Sequence, residues 1–356
     1  MRKSDLPTPA LLLDFDRFEA NLQRMAAHAA GHNKKLRPHA KAHKCVEISR
    51  RQLELGAVGV CVATVNELEW MAHAGFPGIL LTSPIASGTK AARIARHAAS
   101  ASALAVVVDH PRQIGIYESV LSSPVGVLVD LDVGDHRTGI PCDERALELA
   151  IAADRSTRLR LCGVQAYSVS GSHTGGYQAR RDHSLERLAP AVDVFQEMRR
   201  RGLPVEIFSG GSTGTWDIDT SIPELTELQA GSYVGMDIAY RNIGVDFAPA
   251  MSVLATVISA SHPGRVTVDA GFKAFSTDRP FPPSPRALPG AQYQWAGDEF
   301  GFLLFESEAS VSLGDQVEFD PPHCDPTANL YDRIHVCRGE RVEAVWPLKG
   351  GATINA

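Results

Sequence analysis

Apolar positions over roughly the first 248 residues fall into short runs that alternate with segments of helical spacing. Several runs, such as Ala105–Val108, are continuously apolar, which is typical of strands buried on both faces of a parallel sheet. Eight strands that are each followed by a crossover predict a (β/α)8 TIM-type barrel, with a doubly wound open sheet as the alternative. The predicted strands cover residues 35–39, 59–63, 78–82, 104–109, 125–132, 159–167, 205–209 and 227–234, and helical spacing is found at 66–75, 89–100, 143–154 and 182–202.

The pattern changes after about residue 248, where strand-like runs follow one another without clear helices. Turns rich in proline and glycine separate them, and Arg338-Gly339-Glu340 predicts a tight hairpin turn. We therefore expect a barrel over residues 14–248 and an all-β domain built from 1–13 and 249–356, with the N-terminal strand 10–13 joining the second domain. The predicted strands of the β-domain are 251–259, 265–272, 302–306, 311–319 and 333–346.

Composition and charge argue against two classes of protein, those that bind nucleic acids and those that span membranes. The 356 residues carry a formal net charge of −6, whereas proteins that bind nucleic acids through phosphate contacts are normally basic. No run approaches the roughly 20 apolar residues of a membrane span, and the apolar run at 10–13 is too short for a signal peptide. The six cysteines include no Cys-x-x-Cys pair, which predicts a cytoplasmic protein with free thiols.

The first candidate for chemistry is Lys41, which follows the first predicted strand in the sequence Arg37-Pro38-His39-Ala40-Lys41. A lysine at a buried strand end loses its proton more easily, and a neutral amine can form a Schiff base with an aldehyde. Lys44, expected at the start of the next helix, is a weaker candidate. The alternative is a basic turn exposed to solvent.

The second candidate is the loop Ser209-Gly210-Gly211-Ser212-Thr213-Gly214-Thr215, which follows a predicted strand. Its backbone amides and hydroxyls could hold a phosphate, and Gly231-Ser232-Tyr233 on the neighbouring strand could complete the site. An ordinary glycine-rich turn explains the pattern equally well.

Two further patterns concern a metal and an anion. His323 and Asp325 lie two positions apart after Pro321-Pro322, so in an extended segment both would face one side and Cys324 the other. Such a pair can bind one divalent metal, although most His-x-Asp triplets are structural.

Arg137 could bind a carboxylate or oxyanion, or form a surface ion pair with Asp135.

Taken in order, these motifs resemble those of the fold-type III pyridoxal-phosphate (PLP) enzymes. Within them, the chain is similar to the D-threonine aldolase and D-serine dehydratase group, with alanine racemase as a distant relative. The resemblance covers most of the chain and also rests on Leu6-Pro7-Thr8-Pro9-Ala10-Leu11, Gly163-Val164-Gln165-Ala166-Tyr167, Glu227-Leu228-Gln229-Ala230-Gly231, Asp269-Ala270-Gly271 and His323-Cys324-Asp325-Pro326-Thr327.

The resemblance implies a role for each candidate. Lys41 matches the lysine that binds PLP covalently, and Tyr167 and Arg137 match groups that line the cofactor. His323 and Asp325 match the metal pair, and the family forms a head-to-tail homodimer in which the β-domain of one subunit helps close the barrel of the other. The residues that match the phosphate site are Thr213, Gly214, Thr215, Gly231, Ser232 and Tyr233.

The metal pair bears on the reaction that the resemblance implies. Dehydratases of the group tend to carry His-x-Cys and aldolases His-x-Asp, so Asp325 favours an aldolase acting on D-threonine-like substrates. A carboxylate also suits Mn, and to a lesser degree Mg or Zn. A D-serine or 3-hydroxy-D-aspartate dehydratase is the first alternative, a racemase the second, and a non-catalytic PLP carrier a third of a different class.

Two positions depart from the group. Phe300 stands where relatives often carry His, and the loop after Tyr167 lacks a glycine often found two residues later. Both departures concern the catalytic base and the side-chain pocket. His173, in that loop, is the candidate base, and a solvated loop histidine is the alternative.

Overall fold

Valine, isoleucine and leucine runs form the strands, as their pattern predicts, and most strands are shorter than the runs. The computed structural model describes residues 1–101, 103–306 and 309–349. Within them the strands are β1 (Ala10–Asp14), β2 (Lys35–Leu36), β3 (Val60–Val62), β4 (Ile79–Leu81), β5 (Ala105–Val108), β6 (Val125–Asp132), β7 (Ile140–Pro141), β8 (Leu159–Ala166), β9 (Ile207–Gly210), β10 (Glu227–Leu228), β11 (Met251–His262), β12 (Arg265–Val268), β13 (Ser284–Pro285), β14 (Gln292–Trp295), β15 (Gly301–Leu304), β16 (Gln316–Asp320), β17 (Arg333–Arg338) and β18 (Arg341–Pro347).

Helices lie in the connections between the parallel strands, and two short ones, Ile238–Asn242 and Cys324–Ala328, lie further along the chain. Those of the described residues are α1 (Phe15–Gly31), α2 (Val46–Glu54), α3 (Val65–His73), α4 (Gly88–Ala95), α5 (Pro111–Glu118), α6 (Glu144–Asp154), α7 (Val169–Ser172), α8 (Tyr177–Arg200), α9 (Ile238–Asn242) and α10 (Cys324–Ala328). None of them combines the length and the apolar character that a bilayer crossing requires.

The chain separates into two compact units. The β-rich unit contains 1–23, 42–45 and 232–356, of which 350–356 lie outside the described residues, and the α/β unit contains 24–41 and 46–231. The segment 42–45, directly after Lys41, thus belongs to the β-rich unit. Whether 14–248 folds as an independent domain stays a prediction.

The α/β unit confirms the predicted barrel architecture. Its parallel strands pair in the order β2-β10-β9-β8-β6-β5-β4-β3, and a parallel bridge between His39 and Cys61 joins the first segment to β3. Apolar side chains from β3, β4, β5 and β6 form a buried cluster inside the sheet: Cys61, Leu80, Val107 and Leu128. The predicted last strand is too long, like most of the others, because its pairing ends at Leu228 and residues Ser232–Val234 form a 3-10 turn.

The β-rich unit is mainly antiparallel and includes the N-terminal strand, as predicted. Its strands pair in the order β14-β15-β12-β11-β1-β17-β18, and β16 pairs with both β11 and β13. β1 is antiparallel to β11 and parallel to β17, so the start of the chain is part of this sheet. The predicted hairpin is also present, with Arg338 paired to Arg341 across Gly339 and Glu340.

Candidate functional site

Three side chains predicted to contact the cofactor lie together in the α/β unit. Lys41 Nζ lies 5.9 Å from the centre of the Tyr167 ring, and the Arg137 guanidinium carbon lies 5.1 Å from it. The three come from the C-terminal ends of different strands, because Lys41 follows β2, Arg137 follows β6 and Tyr167 follows β8. This is the end of a barrel at which active groups gather. Lys41 has no carboxylate partner among the described residues, and it is half-buried.

His39 supports the backbone at Lys41. The Lys41 N–H donates to His39 Nδ1 at 3.4 Å, and His39 Nε2 lies 3.1 Å from Thr82 Oγ1. Because Nδ1 accepts, the proton of neutral His39 is on Nε2, which then donates to Thr82. The Thr82 hydroxyl in turn donates to the Val62 carbonyl oxygen at 3.1 Å.

A buried carboxyl group lies in the same unit. Asp130 is 4% exposed, and its Oδ1 accepts from Gln165 Nε2 at 2.8 Å while its Oδ2 has no hydrogen-bond partner. Burial raises the pKa of Asp130 to about 6, against the opposing effects of the Gln165 hydrogen bond and the Arg137 charge. Gln165 also accepts from Gln229 Nε2 at 3.2 Å, which extends the polar network. A polar cavity lined by Asp130, Arg137 and Tyr167 thus contains an unsatisfied polar atom, as expected where a polar ligand binds.

The glycine-rich loop after β9 is buried and closely packed. In the structure, the Ser212 hydroxyl accepts from the backbone N–H groups of Gly214 at 3.0 Å and Thr215 at 3.2 Å. A Cβ on Gly214 would lie 1.9 Å from the Ser172 carbonyl oxygen, so only glycine fits there. The loop therefore packs against the segment that carries His173, and its role in binding phosphate stays a prediction.

His173 ends the short helix α7, which no sequence pattern predicted. Its Nδ1 lies 3.1 Å from the Val169 carbonyl oxygen, which can only accept, so Nδ1 carries the proton. In the neutral ring of His173 the lone pair is therefore on Nε2. The side chain is half-buried rather than fully solvated, and this geometry is compatible with a base.

The predicted metal pair lies in the β-rich unit, in a conformation that differs from the expected extended segment. Helix α10 begins at Cys324, and His323 is its N-cap residue. The Asp237 carboxylate accepts from the Cys324 N–H at 2.9 Å through one oxygen and from the Tyr240 N–H at 2.9 Å through the other. Asp237, which lies 87 residues before Cys324 in the sequence, thus caps the start of the helix. The expectation that Cys324 would face away from an extended pair was wrong for this reason.

Hydrogen bonds orient both candidate ligands. His323 Nδ1 donates to Asp278 Oδ2 at 2.7 Å, and Asp325 Oδ1 accepts from Ser232 Oγ at 2.7 Å. Metal-binding histidines usually donate their other ring N–H to such a carboxylate, which leaves Nε2 for the metal. An imidazole nitrogen and a carboxylate oxygen held in this way fit a divalent cation such as Mn or Mg.

The neighbouring thiol is hydrogen-bonded to one of the candidate ligands. Cys324 Sγ donates to Asp325 Oδ1 at 3.3 Å, and burial together with the nearby carboxylates of Asp237 and Asp325 raises the pKa of the thiol. Among the described residues, no group of three His, Cys, Asp or Glu side chains could hold a metal. A cation on His323 and Asp325 would therefore complete its coordination with water or substrate.

Sequence reasoning missed the residues that support the candidate groups. Asp278 and Asp237 are 45 and 87 residues away from their partners, a separation that leaves no local pattern. Ser232, predicted at the phosphate site, donates its hydroxyl to Asp325. Tyr233 is fully buried, with its ring 5.6 Å from that of Phe247. The assignment of Gly231, Ser232 and Tyr233 to phosphate stays a prediction.

Comparisons with known proteins agree with this architecture. Residues 13–236 match the family profile "Alanine racemase, N-terminal domain", and residues 250–337 match a serine dehydratase domain. A D-threonine aldolase from an Arthrobacter species is 36% identical over 96% of this chain and 92% of its own length. D-threo-3-hydroxyaspartate dehydratase from a Delftia species is 32% identical over 96% of this chain and 97% of its own.

A solved structure is similar over almost the whole chain. The crystal structure of D-threonine aldolase from Filomicrobium marinum superposes with a TM-score of 0.96 and 35% identity, covering 99% of this chain and 98% of the other. The chain therefore belongs to the fold-type III PLP enzymes with an alanine racemase-like N-terminal domain, in the group that includes D-threonine aldolase and D-threo-3-hydroxyaspartate dehydratase.

Proposed function

We propose that the protein is a PLP- and divalent-metal-dependent carbon–carbon lyase. It cleaves D-β-hydroxy-α-amino acids, with D-threonine as the model substrate, into glycine and an aldehyde. The observation that carries the proposal is the pair of His323 and Asp325, oriented by hydrogen bonds with Asp278 and Ser232 respectively, in a chain similar to D-threonine aldolase over nearly all its length. The carboxylate at the second position favours Mn.

The residues of the α/β unit would bind the cofactor. Lys41 would attach it covalently through its unpaired amine, and Tyr167 and Arg137 would line its ring. The phosphate would lie on the loop containing Thr213, Gly214 and Thr215 and on Gly231. Asp130 and Gln165 supply further polar atoms.

The cofactor and the cation would supply some of the chemistry, and side chains of the protein would supply the rest. When bound, PLP supplies an acceptor for the electron pair released as the Cα–Cβ bond breaks, and the cation lowers the pKa of the β-hydroxyl. His323 and Asp325 would hold the cation. His173 would accept the hydroxyl proton at Nε2, the nitrogen left unprotonated by its contact with Val169.

A dehydratase is the second candidate, supported by the similarity to D-threo-3-hydroxyaspartate dehydratase. The two reactions start from the same substrates but give different products, because the lyase releases an aldehyde and glycine while the dehydratase releases a 2-keto acid and ammonia. The test is a product assay with D-threonine, D-serine and 3-hydroxy-D-aspartate, with and without Mn. Ammonia and a keto acid as the only products would overturn the aldolase proposal.

We also propose that the protein is a homodimer. The β-rich unit exposes aromatic side chains, with Phe272 42% exposed and stacked on Trp295 at 4.8 Å, and Phe300 44% exposed. Exposed aromatic clusters often mark interfaces. Light scattering after size-exclusion chromatography tests this, since a single-chain mass would contradict it.

The proposed location is the cytoplasm. None of the six cysteines, all of which the structure describes, forms a disulfide, and four of them are buried: Cys45, Cys61, Cys324 and Cys337. Free thiols are typical of a reducing compartment. Fractionation of the native cells, followed by detection of the protein, tests the location.

A further inference from the structure

His43 is a buried histidine with a ring nitrogen that has no partner. The side chain is 1% exposed, and its Nδ1 accepts from the Cys45 N–H at 3.0 Å. Burial lowers the pKa of His43 to about 4, so the ring is neutral at physiological pH. Since Nδ1 accepts, the single proton is on Nε2, and this Nε2–H donor meets no hydrogen-bond acceptor. Such a donor is costly to leave unsatisfied.

Contacts of the same segment fix where His43 lies. Lys44 Nζ donates to Asn329 Oδ1 at 2.6 Å, and Asn329 is the C-cap residue of α10. The Lys44 carbonyl oxygen accepts from the Lys349 N–H at 2.8 Å. Helix α10 has only five residues, so an anchor at its end lies within about 8 Å of its start along the axis. His43 is thus held close to the helix that carries Asp325, all within the β-rich unit.

The Asp325 carboxylate opposes the effect of burial on the pKa of His43, and the backbone beside His43 is strained. Lys44 has a φ of 51°, a left-handed conformation that is unfavourable for lysine. It does not start a helix, as the sequence suggested, since α2 begins at Val46. Backbone strain next to an unsatisfied donor is typical of a functional segment.

His43 is not placed as a third metal ligand. The described residues contain no three-membered ligand group, and the Nε2 of His43 carries a proton and so has no lone pair to offer. A cation on two protein ligands keeps water in its remaining positions. Water bound to a cation is a hydrogen-bond acceptor of the kind that the Nε2–H lacks.

We propose that His43 is a positioning residue whose Nε2–H donates to water in the hydration shell of the cation bound beside Asp325. The inference rests on the proposed metal site. It assigns to the segment directly after Lys41 a second task, that of stabilising the bound cation. Loss of a hydrogen-bond partner outside the ligand set typically weakens metal affinity by about 10- to 100-fold.

The test is Mn affinity of the PLP-loaded full chain, measured from the electron paramagnetic resonance signal of free Mn. His43→Leu removes the donor and should weaken Mn binding by about 10- to 100-fold, whereas His43→Gln keeps an N–H at a similar distance and should bind within about threefold of the wild type. Metal-free His43→Leu should lose some stability, because the buried Cys45 N–H loses its acceptor, so Mn affinity of the folded variant is the discriminating measurement. A purely structural histidine would lower stability and leave Mn affinity unchanged.

A matched control is available in the same unit. His335→Leu also removes a histidine with an unpartnered buried ring nitrogen, but on strand β17, and should leave Mn affinity unchanged. If His43→Leu folds poorly, His43→Met removes the same donor with a flexible side chain. Wild-type affinity in the folded donor-free variant would overturn the inference alone, while failure of the wild type to bind Mn would overturn the proposed metal site as well.

Discussion

Asp135 and Ser170 are joined by a 2.7 Å hydrogen bond in which the serine hydroxyl donates to the carboxylate. The contact links the loop after β6, which carries Arg137, to helix α7 after the neighbouring strand β8. The other carboxylate oxygen accepts from the Val169 N–H at the start of α7. Because His173 ends the same short helix, Asp135 fixes the position of the candidate base.

We therefore expect Asp135→Ala to lower kcat by about tenfold or more and to lower the free energy of unfolding by about 1–3 kcal/mol. Asp143→Ala is the control, because Asp143 caps α6 through the Arg145 N–H in the same way but is exposed. Equal losses of kcat in both variants would show that Asp135 acts through stability alone.

Lys41 should be the residue that binds PLP covalently. Borohydride reduction of the loaded protein, followed by peptide mass spectrometry, should find the adduct on Lys41, since its amine has no ion-pair partner in the described structure and lies beside Tyr167. Lys41→Ala should abolish the adduct. Lys44→Ala should retain it, because the Lys44 amine is bound to Asn329. An adduct that persists in Lys41→Ala and maps to Lys44 would refute the assignment.

Gly214 should tolerate no side chain. Gly214→Ala places a methyl group against the Ser172 carbonyl oxygen. The backbone at Gly214 or at Ser172 must then shift to relieve the overlap. We expect a loss of about 1–3 kcal/mol in the free energy of unfolding, and a weaker PLP affinity, both measurable by denaturant titration and by cofactor fluorescence. Gly175→Ala is the control, because a Cβ there meets no atom within 4 Å.

The fold was predictable because its signals are local. Continuous apolar runs identified the parallel strands, and the change of pattern near residue 248 identified the second sheet. Helix α1 was missed although Phe18, Leu22, Met25 and Ala29 are buried at helical spacing, since it follows β1 without a glycine or proline to mark a boundary. Helix α10 was unpredictable, because Asp237 starts it from a distant part of the chain.

The residues of the candidate site could be predicted only where their side-chain type and their position after a strand indicate their chemistry. Lys41, Tyr167 and Arg137 follow strand ends, and the parallel barrel brings strand ends together. The carboxylates that orient candidate groups, Asp278 and Asp135, pair with residues 45 and 35 positions away. Contacts of that range depend on the tertiary fold, and no spacing rule contains them.

Asp130 should make stability depend on pH in an unusual direction. Its raised pKa of about 6 means that the folded protein binds this proton more tightly than the unfolded chain does. Stability should therefore be fully present below about pH 4 and fall as pH rises to about 6. Asp130→Asn should gain roughly 1–3 kcal/mol over the wild type at pH 7 and nothing at pH 4, as measured by urea titration.

The control for this effect is Asp154→Asn, an exposed aspartate at the end of α6. It should change stability little at either pH, because an exposed carboxylate keeps its hydration on folding. A gain for Asp130→Asn that is equal at pH 4 and pH 7 would show that the effect comes from packing and not from the buried charge.

The metal should be required for turnover but not for cofactor attachment. His323 and Asp325 lie in the β-rich unit, whereas Lys41 lies in the α/β unit, so chelation should abolish activity and leave the Lys41 adduct in place. Asp325→Ala should behave likewise, because one imidazole alone is a poor site for a hard cation. Asp332→Ala, which removes an exposed aspartate of the same unit paired with Arg333, should retain activity.

Asp325→Cys should shift the preferred cation from Mn towards Zn, since thiolate is the softer ligand. The decisive measurement is activity after EDTA treatment and again after Mn is restored, and full activity in metal-free protein would exclude a metal role.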